Sequence, residues 1–555
     1  MTEYLETKNS NCKNCYKCIR HCPVKSLKFT DGQAHIVRDE CVLCGECYVV
    51  CPQNAKQIRS DVEKAKSLVS ENDVYVSLAP SFVAWFHDKS IYDMEEALKK
   101  LGFKGIDETA KGACVVKKQY ERIIEGNKRR VLISSCCHTV NTLIQRHYTN
   151  AIPYLADVIS PMLAHAQMLK SEHKDCKVVF IGPCISKKEE AEKYPGFVDL
   201  VLTFDELDDW LNSEGIVIES TGRDYEKGRT RSFPRSGGII DSMDKNQRYN
   251  YLVVDGMENC INALENVDSS ELDNCFIEMS ACSGSCINGP VARRKKHSTI
   301  CAVLAVNEKT GAKDFGVSIP DSKILKKEIS FEGITKIIPG RGAIEEILKE
   351  MGKTSPEQEL NCGSCGYDTC RDKAMAVLNG KADLSMCLPY LKEKAESFSD
   401  TIINNTPNGI IVLNEELEIQ QINKAAKSIL NLPVNTDLLG SPVVRILDPV
   451  DYALALNEEN CYDRRKYFAQ YQKYIDETII YDKEYHIIII LMKDVSEEEK
   501  IKSLKIKQSK AAIEITDKVV EKQMRVVQEI ALLLGETTAE TKIALTKLKE
   551  TMQDE

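Results

Sequence analysis

Twenty-three cysteines in a chain of 555 residues are the first residues here that could do chemistry, and their spacing sorts them. Cys12, Cys15, Cys18 and Cys22 follow C-x2-C-x2-C-x3-C and are closed by Pro23; Cys41, Cys44, Cys47 and Cys51 repeat that run and are closed by Pro52. Three islands follow: Cys136 and Cys137 in ISSCCHTV, Cys184 in IGPCISKKEE, and Cys282 with Cys286 in EMSACSGSCINGP. A last set, Cys362, Cys365, Cys370 and Cys387, is spaced C-x2-C-x4-C-x16-C. Thiolates are soft ligands suited to iron–sulfur clusters and zinc. A reducing compartment leaves them unpaired by disulfides. Sixteen of the cysteines are expected as ligands and one as an acid–base group. Cys114, Cys176, Cys260, Cys275, Cys301 and Cys461 are expected as buried small apolar residues.

The first two runs have the two-cluster ferredoxin pattern, in which the fourth cysteine of each run binds the other run's cluster. One [4Fe-4S] cluster then takes Cys12, Cys15, Cys18 and Cys51, and the second takes Cys41, Cys44, Cys47 and Cys22. Matched runs of this kind are not zinc spacing. Residues 1–59 are therefore expected to form a ferredoxin-like 2[4Fe-4S] domain that moves single electrons.

The elements that must position the islands come next. NDVYVSLAP, RRVLISS, CKVVFIGP and YNYLVVDGM read as short apolar strands ending in loops. SIYDMEEALKKLG and GAIEEILKEMG read as amphipathic helices closed by glycine. Such alternation predicts parallel sheets covered on both faces, with ligands beyond the carboxyl ends of the strands. Cys136, Cys137 and Cys184 fall there. The fold class is multidomain α/β and α+β, with this α/β domain at 60–350.

SSCCHTV, GPCISKKEE and EMSACSGSCINGP resemble, in order, the three H-cluster motifs of the [FeFe]-hydrogenases, and a ferredoxin-like segment is that family's common accessory. The resemblance implies an H-cluster, a [4Fe-4S] cubane bound by Cys137, Cys184, Cys282 and Cys286, with Cys286 bridging to a two-iron subcluster. It gives Lys187 a hydrogen bond to a cyanide ligand of that subcluster, a charge-assisted contact in a dry pocket. It gives Cys136 the passage of protons, a role a tunable thiol can fill.

Several positions depart from the family's pattern. His138-Thr139-Val140 stands where the family has a Pro-x-aromatic, and Gly182 and Ser280 stand where it has Met. Asn288-Gly289-Pro290 shortens its glycine-rich tail. Its proton-route glutamates correspond to CVVKKQYER, at Lys117–Gln119 with Glu121 or Arg122 beyond. Fewer shielding methionines and a broken acid chain imply a site that binds its cluster and cycles protons slowly. His138 reads either as a proton carrier or as a neutral hydrogen-bonding histidine.

Gly363 and Gly366 let the backbone fold tightly around the last four cysteines, and residues 351–395 resemble a small four-Cys [4Fe-4S] domain of redox and sensory proteins. A zinc site is the alternative. TIINNTPNGIIVLNEELEIQQINKAAKSILN and EYHIIIILMKDVSEEEK resemble the opening and closing of a PAS sensor domain, at 396–495, whose ligand is unknown. His486 reads as a packed or hydrogen-bonded histidine, with haem ligation as the alternative. Val520, Met524, Val527, Ala531 and Leu534 form a coiled-coil seam. Gly535 as a C-cap and Thr537-x-x-Glu540 as a capping box then predict a signalling helix and helical hairpin over 496–555.

A formal charge of −10 and no basic arm argue against nucleic acid. No leader is read at the start, and no run approaches the roughly 18 apolar residues of a membrane span. A cytoplasmic location without membrane contact is expected. The reading is an H2- or redox-sensing [FeFe]-hydrogenase-like protein with slow reversible H2/proton chemistry and signal output through the PAS domain and C-terminal helices. Its partners are H2 and protons, a redox partner such as ferredoxin, the hydrogenase maturation enzymes, a downstream kinase or phosphatase, and a second copy of itself. The alternatives are a catalytic ferredoxin-linked hydrogenase and a redox-signalling iron–sulfur protein lacking the two-iron subcluster.

Overall fold

The computed structural model describes residues 4–8, 11–126, 129–223, 226–333, 339–433, 435–456 and 462–551. The chain forms two compact units, Met1–Leu391 and Lys392–Glu555. The expected boundary at 395/396 falls inside one helix, Leu388–Asn405.

The first unit begins with the two cysteine runs. Strand β1 (Leu5–Thr7) pairs antiparallel with β4 (Lys56–Ile58), and β2 (Leu27–Thr30) with β3 (Gln33–Ile36). Each run leads into one short helix, Lys17–Arg20 or Glu46–Val50, entered through a left-handed residue, Tyr16 or Gly45. Gly45 is required twice over. Its φ is +73°, and a Cβ there would lie 2.6 Å from Pro290, the residue closing the third island.

Two parallel sheets then hold the islands. In the first, the order is β6 (Gly105–Glu108), β5 (Val74–Leu78), β8 (Lys177–Gly182), β9 (Leu200–Thr203). In the second it is β10 (Asn250–Asp255), β11 (Cys275–Ser280), β7 (Val131–Ile133). Strand β8 is apolar from Val178 to Ile181, β11 carries Glu278 among apolar residues, and both are almost wholly buried, as strands covered on both faces must be. The first island follows β7, the second follows β8 and the third follows β11, so both sheets point their carboxyl ends at one place. Helix Thr109–Glu125 crosses beneath them against helix Pro161–Glu172. Further on, helices Arg341–Glu350 and Cys370–Leu378 pack around Leu348, Met351, Ala374 and Cys387.

In the second unit, five antiparallel strands are ordered β13 (Ile419–Ile422), β12 (Gly409–Asn414), β16 (Ile487–Asp494), β15 (Lys473–Asp482), β14 (Tyr462–Phe468). The apolar run at His486–Met492 is central strand β16. Alternate residues Ile488, Ile490 and Met492 enter the core, the two-residue period of a half-buried strand. His486 is exposed at φ +55° and bonds Glu415 Oε1 at 2.9 Å.

The expected helical hairpin is not formed. Ser496–Thr551 is one helix of 56 residues, about 84 Å long at 1.5 Å per residue. An interior glycine costs only about 1 kcal/mol relative to alanine, too little to break a helix with good helix formers on both sides of Gly535. Thr537 does not cap either: its hydroxyl donates back to Leu533 O at 2.8 Å. The seam residues Val520, Met524, Val527 and Leu534 are all exposed.

Candidate metal centre

The three islands enclose a cavity of about 100 Å³ lined by Cys136, Cys137, Cys184, Lys187, Ser280 and Cys286 among apolar walls from Pro161, Met162, Phe180, Phe233 and Ile239. Cys282 adjoins it: its thiol is pushed well up, first by burial and then by Cys184, Cys137 and Cys286. The Cys286 thiol is pushed up to about 12, by burial and then by Cys137 and Cys184. The Cys137, Cys282 and Cys286 thiols, raised first by burial, are disfavoured as thiolates in an apolar pocket without a compensating cation, which is what an iron centre would provide. Among the described residues no three Cys, His, Asp or Glu side chains converge as ligands of a single ion.

The apolar walls persist despite the departures. A Cβ on Gly182 would lie 2.6 Å from the Phe180 ring, so Phe180 fills the space a side chain at 182 would take. Ser280 Oγ is 3.0 Å from Ser285 Oγ, which satisfies the one polar group that replaces an apolar one.

Lys187 lines the cavity and donates to Cys136 O at 3.1 Å and to Glu190 Oε2 at 2.5 Å. Burial disfavours its ammonium, but Glu190 more than restores it and its pKa is raised. Glu190 is fully buried, takes a further bond from Ser160 Oγ at 3.1 Å, and leaves Oε1 without a hydrogen-bond partner. Lys327, absent from the sequence reading, is buried beside this group. Burial lowers it to about 8 despite Glu190. His138 bonds Glu189 Oε2 at 3.2 Å, and burial lowers its pKa, so it is the neutral hydrogen-bonding histidine at pH 7.

Cys136 has a partner that the sequence reading missed. Its Sγ lies 3.2 Å from Tyr120 OH, which is 3.0 Å from Ser135 Oγ and accepts from Ser135 N at 2.8 Å. Ser135 Oγ in turn donates to Val158 O at 2.7 Å. Burial pushes Cys136 up to about 12 and Tyr120 well above its ordinary value. The chain of hydroxyls thus ends on a backbone carbonyl, which cannot titrate. Lys117 is fully buried one turn earlier, 2.5 Å from Asp314 Oδ2. Gln119 accepts from Ser322 Oγ, and Arg122 donates to it; Glu121 accepts from Asp244 N. None of these reaches Cys136. The helical period marks Tyr120 as facing inward with Val116 and Lys117, the one signal that could have found it.

In the ferredoxin-type segment Cys22, Cys41, Cys44 and Cys47 line one small cavity. Cys18 is pushed to about 11 by burial, against Lys56, and further by Cys51, Cys12 and Cys15. Cys47 is raised by burial and then by Cys41, Cys44 and Cys22. Arg293 clamps Glu46 in two bonds of 2.6 and 3.1 Å, and Arg294 donates to Tyr48 O and Cys51 O. Cys44 lies close enough to raise Cys282. Cys362, Cys365, Cys370 and Cys387 line one small cavity, with Cys370 opening a helix capped by Thr369 and Asp372.

Of the cysteines expected as buried apolar residues, Cys114, Cys176, Cys260 and Cys275 are buried. Cys301 is exposed, because it sits in the first turn of helix Thr299–Lys309 on the face away from Ala302 and Val306. Cys461 lies outside the described residues.

These thiol groups fit an iron–sulfur protein, and family models match four stretches of the chain. The family model "Iron only hydrogenase large subunit, C-terminal domain" matches residues 72–290. A 4Fe-4S dicluster domain matches 5–52, an Fe-S cluster domain 358–389 and a PAS domain 397–465. The chain thus carries an iron-only-hydrogenase domain between two iron–sulfur modules, followed by a PAS domain. Iron hydrogenase 1 of Clostridium pasteurianum is 23% identical over 306 residues, 43% of this chain and 53% of that protein. A component of the ion-translocating oxidoreductase complex of Methanosarcina acetivorans is 38% identical over 48 residues, 9% of this chain and 18% of that protein. The chain spans about half the length of the first and under a fifth of the second. An [FeFe]-hydrogenase structure from Chlamydomonas reinhardtii covers 50% of this chain and 100% of its own, at 16% identity and TM-score 0.37. Among the described residues no helix is long and apolar enough to cross a membrane.

Proposed function

We propose that this chain is a sensory [FeFe]-hydrogenase that reads H2 or redox state and turns H2 over slowly. Cys137, Cys184, Cys282 and Cys286 would hold the cubane of an H-cluster, with Cys286 also meeting the two-iron subcluster in the cavity. When bound, that group supplies reversible chemistry between H2, protons and electrons. The protein's own residues do the rest. Phe180, Met162 and Phe233 keep water out, which strengthens every polar contact in the pocket. Lys187, held charged by Glu190, offers a donor at the cavity wall. Cys136 holds a proton at Sγ, in contact with Tyr120.

One observation carries the slow reading: the hydrogen-bond path from Cys136 ends at Val158 O. A relay needs groups that titrate near the working pH, and neither Tyr120 nor a backbone carbonyl does. The twelve remaining ligand candidates, Cys12, Cys15, Cys18, Cys22, Cys41, Cys44, Cys47, Cys51, Cys362, Cys365, Cys370 and Cys387, would hold two ferredoxin clusters and one further [4Fe-4S] cluster. The domains lie at 1–59, 60–350, 351–395, 396–495 and 496–555. Output through the PAS domain and the long helix to a kinase or phosphatase, a homodimer, a ferredoxin-type redox partner and a cytoplasmic location complete the proposal. Loading would require the hydrogenase maturation enzymes.

The test is coexpression with those enzymes followed by infrared spectroscopy and H2 turnover. CO and cyanide bands with turnover far below that of catalytic hydrogenases are expected. Fast turnover would sink the sensory reading. Missing bands would leave a redox-signalling iron–sulfur protein. A catalytic hydrogenase is the second reading, favoured by the intact apolar wall and the retained Cys136 and Lys187.

A further inference from the structure

The four-cysteine domain is docked on the ferredoxin module through a tight and specific seam. Arg20 donates to Ser364 O at 3.1 Å and Lys25 to Gly366 O at 3.1 Å. The two carbonyls flank Cys365, and the two cations flank Cys22. Gly366 has φ +93°, and a Cβ on it would lie 3.0 Å from Ile19 and 3.1 Å from Arg20 N, so the backbones themselves are in contact. Phe29 N donates to Lys381 O at 2.7 Å, and Lys381 pairs with the buried carboxylate of Glu40. Tyr367 is buried with Ile19, Cys22 and Cys365 in one apolar cluster. Its hydroxyl has no hydrogen-bond partner, and its phenol feels burial first, then Cys365 and Cys22.

On its other flank the same thiol set faces the hydrogenase pocket. Cys22, Cys41, Cys44 and Cys47 line one small cavity. Beside Cys44, a Cβ on Gly45 would lie 2.6 Å from Pro290, and Glu46 is held by Arg293 at 2.6 and 3.1 Å, so this set adjoins the island of Cys282.

We infer that the second ferredoxin cluster is a branch point, passing single electrons to the hydrogenase pocket at Cys44–Cys282 and to the four-cysteine cluster across Cys22, Tyr367 and Cys365. The inference rests on the reading that both thiol sets hold [4Fe-4S] clusters. The step is one electron: the donor cluster goes from the 1+ to the 2+ state, the acceptor from 2+ to 1+, and no proton moves. The electron comes from dithionite in the test below, or from H2 at the neighbouring pocket. Tyr367 contributes packing, not a radical, since no base lies at its hydroxyl to take the proton. The branch has a direct mechanical outlet. Cys387 is followed at once by helix Leu388–Asn405, and its carbonyl accepts the helix-opening bond from Leu391 N at 2.9 Å. The charge on the four-cysteine cluster therefore acts at the first turn of the helix that leaves this unit.

The test uses the full chain with reconstituted iron–sulfur clusters and no two-iron subcluster, so that it is independent of H2 chemistry. It is reduced with dithionite and read by electron paramagnetic resonance. Magnetic interaction between the four-cysteine cluster and a ferredoxin cluster is expected, with loss in Cys47→Ser and retention in Cys15→Ser. Iron and sulfide content confirms which cluster each variant lacks. Arg20→Ala with Lys25→Ala, which touches no cysteine, should weaken the interaction at parental iron content. Interaction that survives Cys47→Ser, or disappears in Cys15→Ser, overturns the branch. So does a fully loaded parent without interaction, or a four-cysteine set that takes up no iron. None of these failures would alter the H2 reading, which stands on the infrared bands.

Discussion

If the proton path stalls because Tyr120 stands where a titrating group is needed, Tyr120→Glu should restart it. The tyrosine is wholly buried, and its hydroxyl makes three contacts: Cys136 Sγ at 3.2 Å, Ser135 Oγ at 3.0 Å and Ser135 N at 2.8 Å. A glutamate is shorter than tyrosine but flexible enough to keep Ser135 N–H as a donor and Cys136 as a neighbour. Burial would raise its pKa toward neutrality, the range in which a relay works best. A positioned acid–base group contributes about 10²- to 10⁴-fold, equivalent to about 3–5 kcal/mol off the barrier. Tyr120→Phe is the control. It strands Ser135 N–H in the core, costing about 1–3 kcal/mol of stability, and should not raise turnover. The assay is H2/D⁺ exchange in matured protein, normalised to the infrared bands of the loaded site. A glutamate variant with full bands and parental exchange would refute the reasoning, and so would a phenylalanine variant faster than the parent.

Three other outcomes are expected. Glu278 is buried on β11 and held by the amides of Ile239 and Ile240; burial raises its pKa to about 7 despite them. The folded state then binds more protons than the unfolded one from about pH 4.5 to pH 7, so stability falls as pH rises through that window. The loss is about 3 kcal/mol at 1.4 kcal/mol per pKa unit. Denaturant midpoints of apoprotein should show this window, and Glu278→Gln should flatten it; an unchanged slope would exclude Glu278 as the cause. Lys187→Met removes the 2.5 Å partner of Glu190 and leaves a buried carboxylate, at a cost of about 3–5 kcal/mol near pH 7. The loss should shrink as acid protonates Glu190; a loss independent of pH would contradict this assignment. Val520→Asp with Val527→Asp should turn a dimer into a monomer in sedimentation, since Ile506, Ile513, Val520, Val527 and Leu534 recur every seventh residue. A dimer that survives is held elsewhere.

What could be read from sequence was what local spacing encodes. The thiol runs and the strands that lead into Cys136 and Cys184 follow from patterns within some thirty residues, whereas β11, with Glu278 and Ser280 in its run, carries no such pattern, and only the opening and closing strands of the five-stranded sheet were legible. Tyr120 and Lys327 were hidden because their roles depend on where helix Thr109–Glu125 and the segment after 320 cross the islands, long-range facts that no periodicity carries. Phe180 was hidden for a related reason. The missing side chain at Gly182 was legible, whereas the ring two residues earlier that fills its place was visible only in three dimensions. The hairpin failed on energetics. A glycine and a capping-box motif are permissive signals worth about 1 kcal/mol each, and the helix formers on both sides of Gly535 outweigh them.

The same contrast explains why the pocket and the relay belong to different levels of inference. A cluster site is defined by thiols whose types and spacing are chemically demanding, so each island is legible alone. A proton path is defined by continuity, and one non-titrating link anywhere along it is enough to slow the whole. In this chain every island supplies thiols of that type and spacing. The hydrogen-bond path from Cys136 ends at Val158 O, a backbone atom that every sequence contains and that no residue choice announces. On the proposed reading, slow turnover comes from the lack of a titrating group at position 120, beside Cys136, and not from a damaged cluster pocket, so a single buried carboxylate there should separate the two.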